Sequence, residues 1–146
     1  MKKVWISLAA LILIIAFLFW PHQYPASPKW DVLVLDSMRH PVTGASVRLS
    51  YTNYSIEPGG KGHELTLYTD DRGRATFPAQ TGRYNWLQRI SYTTMEATSL
   101  AHASYGNHAG VAAFLPDGRW GDAITGKYIT DWQGSPAEMY SEIVVK

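Results

Sequence analysis

The chain has 146 residues, a formal net charge of +1 at pH 7 and no cysteine. This length suits one domain of ordinary size, and its core must supply the stability because no disulfide can form. No basic patch or acidic run is present, so nucleic acid is not an expected partner.

Residues 4–20 form an apolar run that only Ser7 and three alanines dilute. As a helix this run would be about 26 Å long, close to the thickness of a bilayer core. Two lysines precede it and none follows until Lys29, which places residues 1–3 in the cytoplasm by the positive-inside rule. We therefore predict a single-pass signal-anchor helix in a bacterial cytoplasmic membrane, with the rest of the chain in the periplasm or outside the cell. The alternative is a cleaved signal peptide and a secreted domain.

Residues 21–29 contain three prolines and show no periodicity, which predicts an extended linker. From Trp30 onward, alternating apolar and polar residues predict short β-strands. They lie at residues 31–36, 45–52, 63–69, 74–77, 112–115, 127–132 and 139–145. The segment 84–105 is rich in Thr, Tyr and Ser and is predicted to form one long strand or two.

No helical period runs far enough to predict a helix outside residues 4–20. The predicted fold class is therefore all-β: an antiparallel β-sandwich over residues 30–146, preceded by one transmembrane helix. The turn glycines Gly44 and Gly73 are expected to supply backbone freedom.

Residues 32–77 carry three motifs that share a turn-and-core pattern. They are Val34-Leu-Asp36, Pro41-Val-Thr-Gly44-Ala45-Ser-Val47 and Thr69-Asp70-Asp-Arg-Gly73-Arg-Ala75-Thr-Phe77. This block resembles the carboxypeptidase regulatory-like domains, which are seven-stranded, transthyretin-like β-sandwiches. The resemblance implies that residues 30–146 form a seven-stranded antiparallel sandwich of the Ig-like or transthyretin-like type. It also implies an accessory module without an activity of its own.

Catalytic signatures are missing from the sequence. The hydroxyisourate hydrolases have a similar topology and close with Tyr-Arg-Gly-Ser, whereas this chain closes with Tyr140-Ser-Glu-Ile-Val-Val-Lys146. No Gly-x-Ser-x-Gly motif or calcium-loop pattern occurs, and the spacing of the carboxylates selects no acid–base pair. We therefore expect no enzymatic activity and no cofactor.

Aromatic residues in the second half of the chain suggest a binding surface. Trp120 and Trp132 stand in loop-like contexts, where large rings suit stacking on a sugar or gripping a peptide. The candidate ligand-binding residues are Trp120, Trp132, Tyr105 and Arg119.

Five histidines also invite a metal hypothesis. His102 and His108 are close enough in sequence to meet across a hairpin, with His63 or Asp117 as a candidate third ligand.

The leading functional prediction is a membrane-anchored, non-enzymatic module that acts through contacts with an envelope protein or with itself. A glycan- or peptidoglycan-binding module is the alternative, and a metal site is the third hypothesis.

Overall fold

The computed structural model describes residues 2–57, 62–99, 103–122 and 132–146. Two helices and nine strands lie in these ranges. They are α1 (Lys2–Phe19), β1 (His22–Ser27), β2 (Lys29–Leu35), β3 (Ser46–Asn53), β4 (His63–Tyr68), β5 (Arg74–Phe77), β6 (Gln80–Tyr84), α2 (Trp86–Thr98), β7 (Asn107–Phe114), β8 (Trp120–Asp122) and β9 (Glu138–Val144).

The strands form three sheets with the orders β1-β6, β5-β2-β9 and β4-β3-β7-β8. β2 and β9 are parallel, with Lys29 opposite Glu138 and Leu35 opposite Val144, and the other pairings are antiparallel. The prediction of seven antiparallel strands is therefore wrong, since the described chain has nine strands, three sheets and two helices. It is nevertheless β-rich, as expected.

The core lies between the three-stranded and the four-stranded sheet. Alternate residues of each strand face inward, which gives each sheet one apolar side. The buried cluster consists of Trp30, Val32, Val34, Ala45, Val47, Leu49, Ala75, Phe77, Ala109, Val111, Ala113, Trp132, Ile143 and Val145. This packing is compatible with the predicted sandwich.

The turn that leads into β5 explains part of the Thr-Asp-x-x-Gly pattern. Gly73 has φ of +72°, and a Cβ there would lie 2.8 Å from the carbonyl oxygen of Val34. Asp70 Oδ1 accepts the backbone N–H groups of Arg72 and Arg74, and these bonds lower the pKa of its carboxyl. Gly44 also has a positive φ, of +71°, so both predicted turn glycines are confirmed.

The predicted proline-rich linker is instead largely a strand. β1 pairs with β6, with His22 opposite Tyr84 and Pro25 opposite Thr81, and the register shifts between Pro25 and Ser27. A proline without an N–H is tolerated beside such an irregularity, in a sheet of only two strands.

The segment 84–105 is also corrected, because it contains α2 rather than a strand. Trp86, Ile90 and Thr94 are spaced by four, a spacing that fits a period of two and is also close to one helical turn of 3.6 residues. The Asn85 side chain accepts the backbone N–H of Gln88 at 2.8 Å and starts the helix. Most of the predicted strand at 127–132 lies outside the described residues, apart from Trp132, which bridges to Ala109.

The predicted membrane anchor is contradicted as well. α1 does form over the apolar run, but no helix in the described part of the chain is long and apolar enough to cross a membrane. The single-pass anchor, and the localisation inferred from it, are therefore wrong.

Candidate functional site

The predicted ligand-binding residues do not converge. Trp120 lies on β8, where it pairs with Phe114 at the end of β7, and its ring is exposed. Tyr105 is also exposed, but it precedes β7 at the opposite end of that strand. Seven residues of strand span roughly 23 Å, so these two rings lie far apart.

Trp132 is only 1% exposed and belongs to the core. Its indole N–H donates to the carbonyl of Pro136 at 2.7 Å, so neither the ring nor its polar atom is available for a ligand. A glycan-binding surface would have to rest on Trp120 and the neighbouring Arg119.

Arg119 is engaged by Asp117. Its Nη2 lies 2.7 Å from Asp117 Oδ2, and its Nε donates to the same oxygen at 2.8 Å. These bonds raise the pKa of Arg119 and lower that of Asp117. A ligand that uses this guanidinium must share it with Asp117.

The strand register separates two of the histidines proposed as metal ligands, His63 and His108. His102 lies outside the described residues, while His108 Nε2 lies 3.1 Å from the carbonyl oxygen of Tyr105. His63 on β4 lies opposite Tyr51 of β3, and His108 on β7 lies opposite Thr52 of β3. Because Tyr51 and Thr52 are consecutive, the two histidine side chains face opposite sides of the sheet. Among the described residues, no three His, Cys, Asp or Glu side chains are grouped to hold a metal ion.

A polar cluster that the sequence did not indicate surrounds Glu57. Its Oε1 accepts the hydroxyl of Tyr24 at 3.0 Å and lies 3.2 Å from His63 Nε2. Its Oε2 accepts the hydroxyl of Thr52 at 2.9 Å and the backbone N–H of Asn53 at 3.3 Å. The Glu57 side chain is 15% exposed, so one carboxylate joins the end of β3 to β1 and β4.

The tyrosines of this cluster stay protonated. Burial, together with the hydrogen bond to Glu57, raises the pKa of Tyr24 well above its ordinary value. Burial and the Glu57 charge raise the pKa of Tyr51, whose ring stacks on His63 at 5.1 Å between centroids. Glu57 thus serves as an acceptor for structural donors.

A second cluster, the aromatic junction, consists of Phe17, His22, Tyr84, Trp86 and Arg89. Trp86 at the start of α2 stacks on Phe17 near the end of α1, at 6.1 Å between centroids. His22 contacts both Tyr84 and Trp86, at 5.5 and 5.7 Å. The Arg89 guanidinium lies over the rings of Tyr84 and Trp86, at 5.5 and 5.4 Å. The junction therefore holds the C-terminal end of α1 against α2 and the β1-β6 sheet.

Most of the exposed large apolar side chains in the described structure lie on α1 or at Trp20, the residue that follows it. Eleven large apolar side chains in residues 5–20 are 45–70% exposed: Trp5, Ile6, Leu8, Leu11, Ile12, Leu13, Ile14, Ile15, Phe17, Phe19 and Trp20. We call this set the α1 surface. Scattered exposed apolar residues are ordinary, but a contiguous set of this size marks an interaction site.

Sequence reasoning also missed α2, although a local signal was present. Asn85-Trp-Leu-Gln88 places a capping residue three positions before a glutamine, as helix starts do. The Glu57 cluster has no such signal, because it joins residues far apart in sequence.

Comparison with known proteins adds no identification. No protein-family model matches the chain, and no curated protein matches it. Among solved structures, 3-chlorocatechol 1,2-dioxygenase from Rhodococcus opacus 1CP aligns at 13% identity with a TM-score of 0.39. The alignment covers 82% of this chain and 61% of the dioxygenase chain. A likeness this weak carries no argument about activity, and the resemblance to carboxypeptidase regulatory-like domains stays a prediction.

Proposed function

We propose that this chain is a non-enzymatic protein-binding module, a β-sandwich that presents α1 as its binding surface. The observation that carries the proposal is the exposure of the α1 surface. Burying one large apolar side chain contributes about 1.5–3 kcal/mol, so covering five of them would contribute on the order of 10 kcal/mol before the cost of association.

Two further features support this function. The aromatic junction holds one end of α1 in place. Binding through α1 therefore requires a smaller loss of conformational entropy than binding through a free segment would. The resemblance of residues 32–77 to accessory sandwich modules also favours binding over catalysis. In the Glu57 cluster, the carboxylate is occupied by donors from the protein itself.

Site-specific photo-cross-linking tests the proposal in cells that produce the full chain. A photoreactive residue at Leu13, which is 70% exposed on α1, is expected to give one discrete protein adduct that mass spectrometry can identify. The matched control is the same residue at Tyr68 on β4, which is 71% exposed and should give no such adduct. Absence of a discrete protein adduct at position 13, or equal adducts at both positions, would contradict the proposal.

A further inference from the structure

The α1 surface extends around the whole helix. Ile6 and Leu13 are seven residues apart and share one side, and both are about 70% exposed. Leu8 and Ile15 share another side about 200° away, and both are nearly half exposed. A helix that is apolar on all sides is normally surrounded by other apolar elements, whereas an amphipathic helix needs cover on one side only.

The area of the α1 surface is sufficient for a stable interface. Eleven side chains that each expose on the order of 100 Å² present about 1,000 Å². A stable protein interface of standard size buries about 800 Å² on each partner. A partner that covers one side of α1 would bury only part of this exposed apolar area.

The chemistry of α1 restricts the partner. No charged residue lies between Val4 and Trp20, so a polar or charged partner surface would find no complementary charge there. The α1 of a second copy has the same length and the same uncharged run, so it provides a matching surface. Because the aromatic junction fixes the end of the helix in each copy, identical copies meet in the same geometry and the assembly can close by symmetry.

We infer that the binding partner of α1 is α1 of other copies of this chain, in a bundle of at least three helices. A pair of helices would cover one side of each and leave the opposite side in water, whereas a bundle covers more than one side. This inference rests on the proposed function, since it names the partner of the same surface.

Sedimentation equilibrium of the full chain in detergent-free buffer tests the inference. The wild-type chain is expected to assemble with a defined mass of three or more copies. Ile6→Glu with Leu13→Glu charges one side of α1, and Leu8→Glu with Ile15→Glu charges the other. Each double variant is expected to raise the dissociation constant at least tenfold, because a buried unpaired carboxylate is costly.

The control variant is Met38→Glu, which makes the same kind of change at a residue that is 73% exposed outside the helices. It should leave the assembly unchanged. Near-ultraviolet circular dichroism from the buried Trp30 and Trp132 will show that the sandwich of each variant is folded.

Four results would overturn the inference. They are a monomer at every concentration, aggregates without a defined mass, an assembly of only two copies, and a cross-link from Leu13 to a different protein only. The last result would leave the proposed protein-binding function standing. Lack of any discrete protein cross-link would overturn both.

Discussion

Thr69 shows how much one residue of the Thr-Asp-x-x-Gly pattern contributes. Its hydroxyl accepts the backbone N–H of Ala45 at 2.9 Å and donates to the carbonyl of Val42 at 2.6 Å. Its backbone makes two more hydrogen bonds to the same turn: its N–H donates to the carbonyl of Ala45, and its carbonyl accepts the N–H of Gly44. One buried side chain therefore ties the turn before β3 to the turn before β5.

Replacing Thr69 with valine tests this role. Thr69→Val keeps the shape but leaves the Ala45 N–H and the Val42 carbonyl without this partner, so we expect a loss of about 1–3 kcal/mol in the free energy of unfolding. Urea denaturation provides the measurement. Thr66→Val on the exposed strand β4 is the matched control and should change stability by less than about 0.5 kcal/mol. Equal losses in the two variants would contradict the assigned role.

At the scale of elements, local sequence patterns were sufficient to predict the strands whose structure depends on neighbouring residues. Alternation located β2, β3, β4 and β5 because side chains in a strand alternate between the core and the surface. It did not reveal the parallel pairing of β2 with β9, because this pairing joins residues more than 100 positions apart. β1 was missed for a similar reason, since Pro25 is acceptable only because of the partner strand β6 and the nearby register shift.

The candidate site was harder to predict than the strands. Trp132 was expected at a surface because a glycine and a proline follow it. Its backbone instead pairs with Ala109 in an antiparallel β-bridge, and its side chain is buried in the core. Tyr105 and Trp120 flank the same strand, and only the register of β7 with β8 shows that they lie at opposite ends. Tertiary pairing, rather than local composition, decides which side chains meet.

Glu57 provides a test of how β1 is attached to the sandwich. Glu57→Ala removes the acceptor for Tyr24 on β1 and for Thr52 on β3, so we expect a loss of about 1–3 kcal/mol in the free energy of unfolding. Urea denaturation monitored by tryptophan fluorescence will measure it.

Glu64→Ala is the control for this change. Glu64 is exposed on β4 and lies 3.7 Å from Arg48, a surface ion pair that contributes about 0–1 kcal/mol. If Glu64→Ala were as destabilising as Glu57→Ala, the role of Glu57 in joining β1, β3 and β4 would be rejected.

At the scale of the whole molecule, the chain combines two parts with opposite surface properties. The sandwich buries large apolar residues between two sheets, whereas ten large apolar side chains of α1, and Trp20 directly after it, are exposed. Most of the stability of a helix in a protein comes from tertiary packing, and the 18-residue α1 packs within the chain mainly near its C-terminal end, so it needs further apolar contacts. Assembly through α1 would satisfy this need without any change in the sandwich.

Hydrogen exchange of the full chain tests this account most directly, because backbone amides report whether α1 is packed. At concentrations where the chain is assembled, we predict that the amides of α1 are protected to a degree comparable with β2 and β3, and that dilution removes the protection of α1 first. Exchange of α1 at the rate of an unpacked helix at every concentration, while β2 and β3 stay protected, would contradict the account.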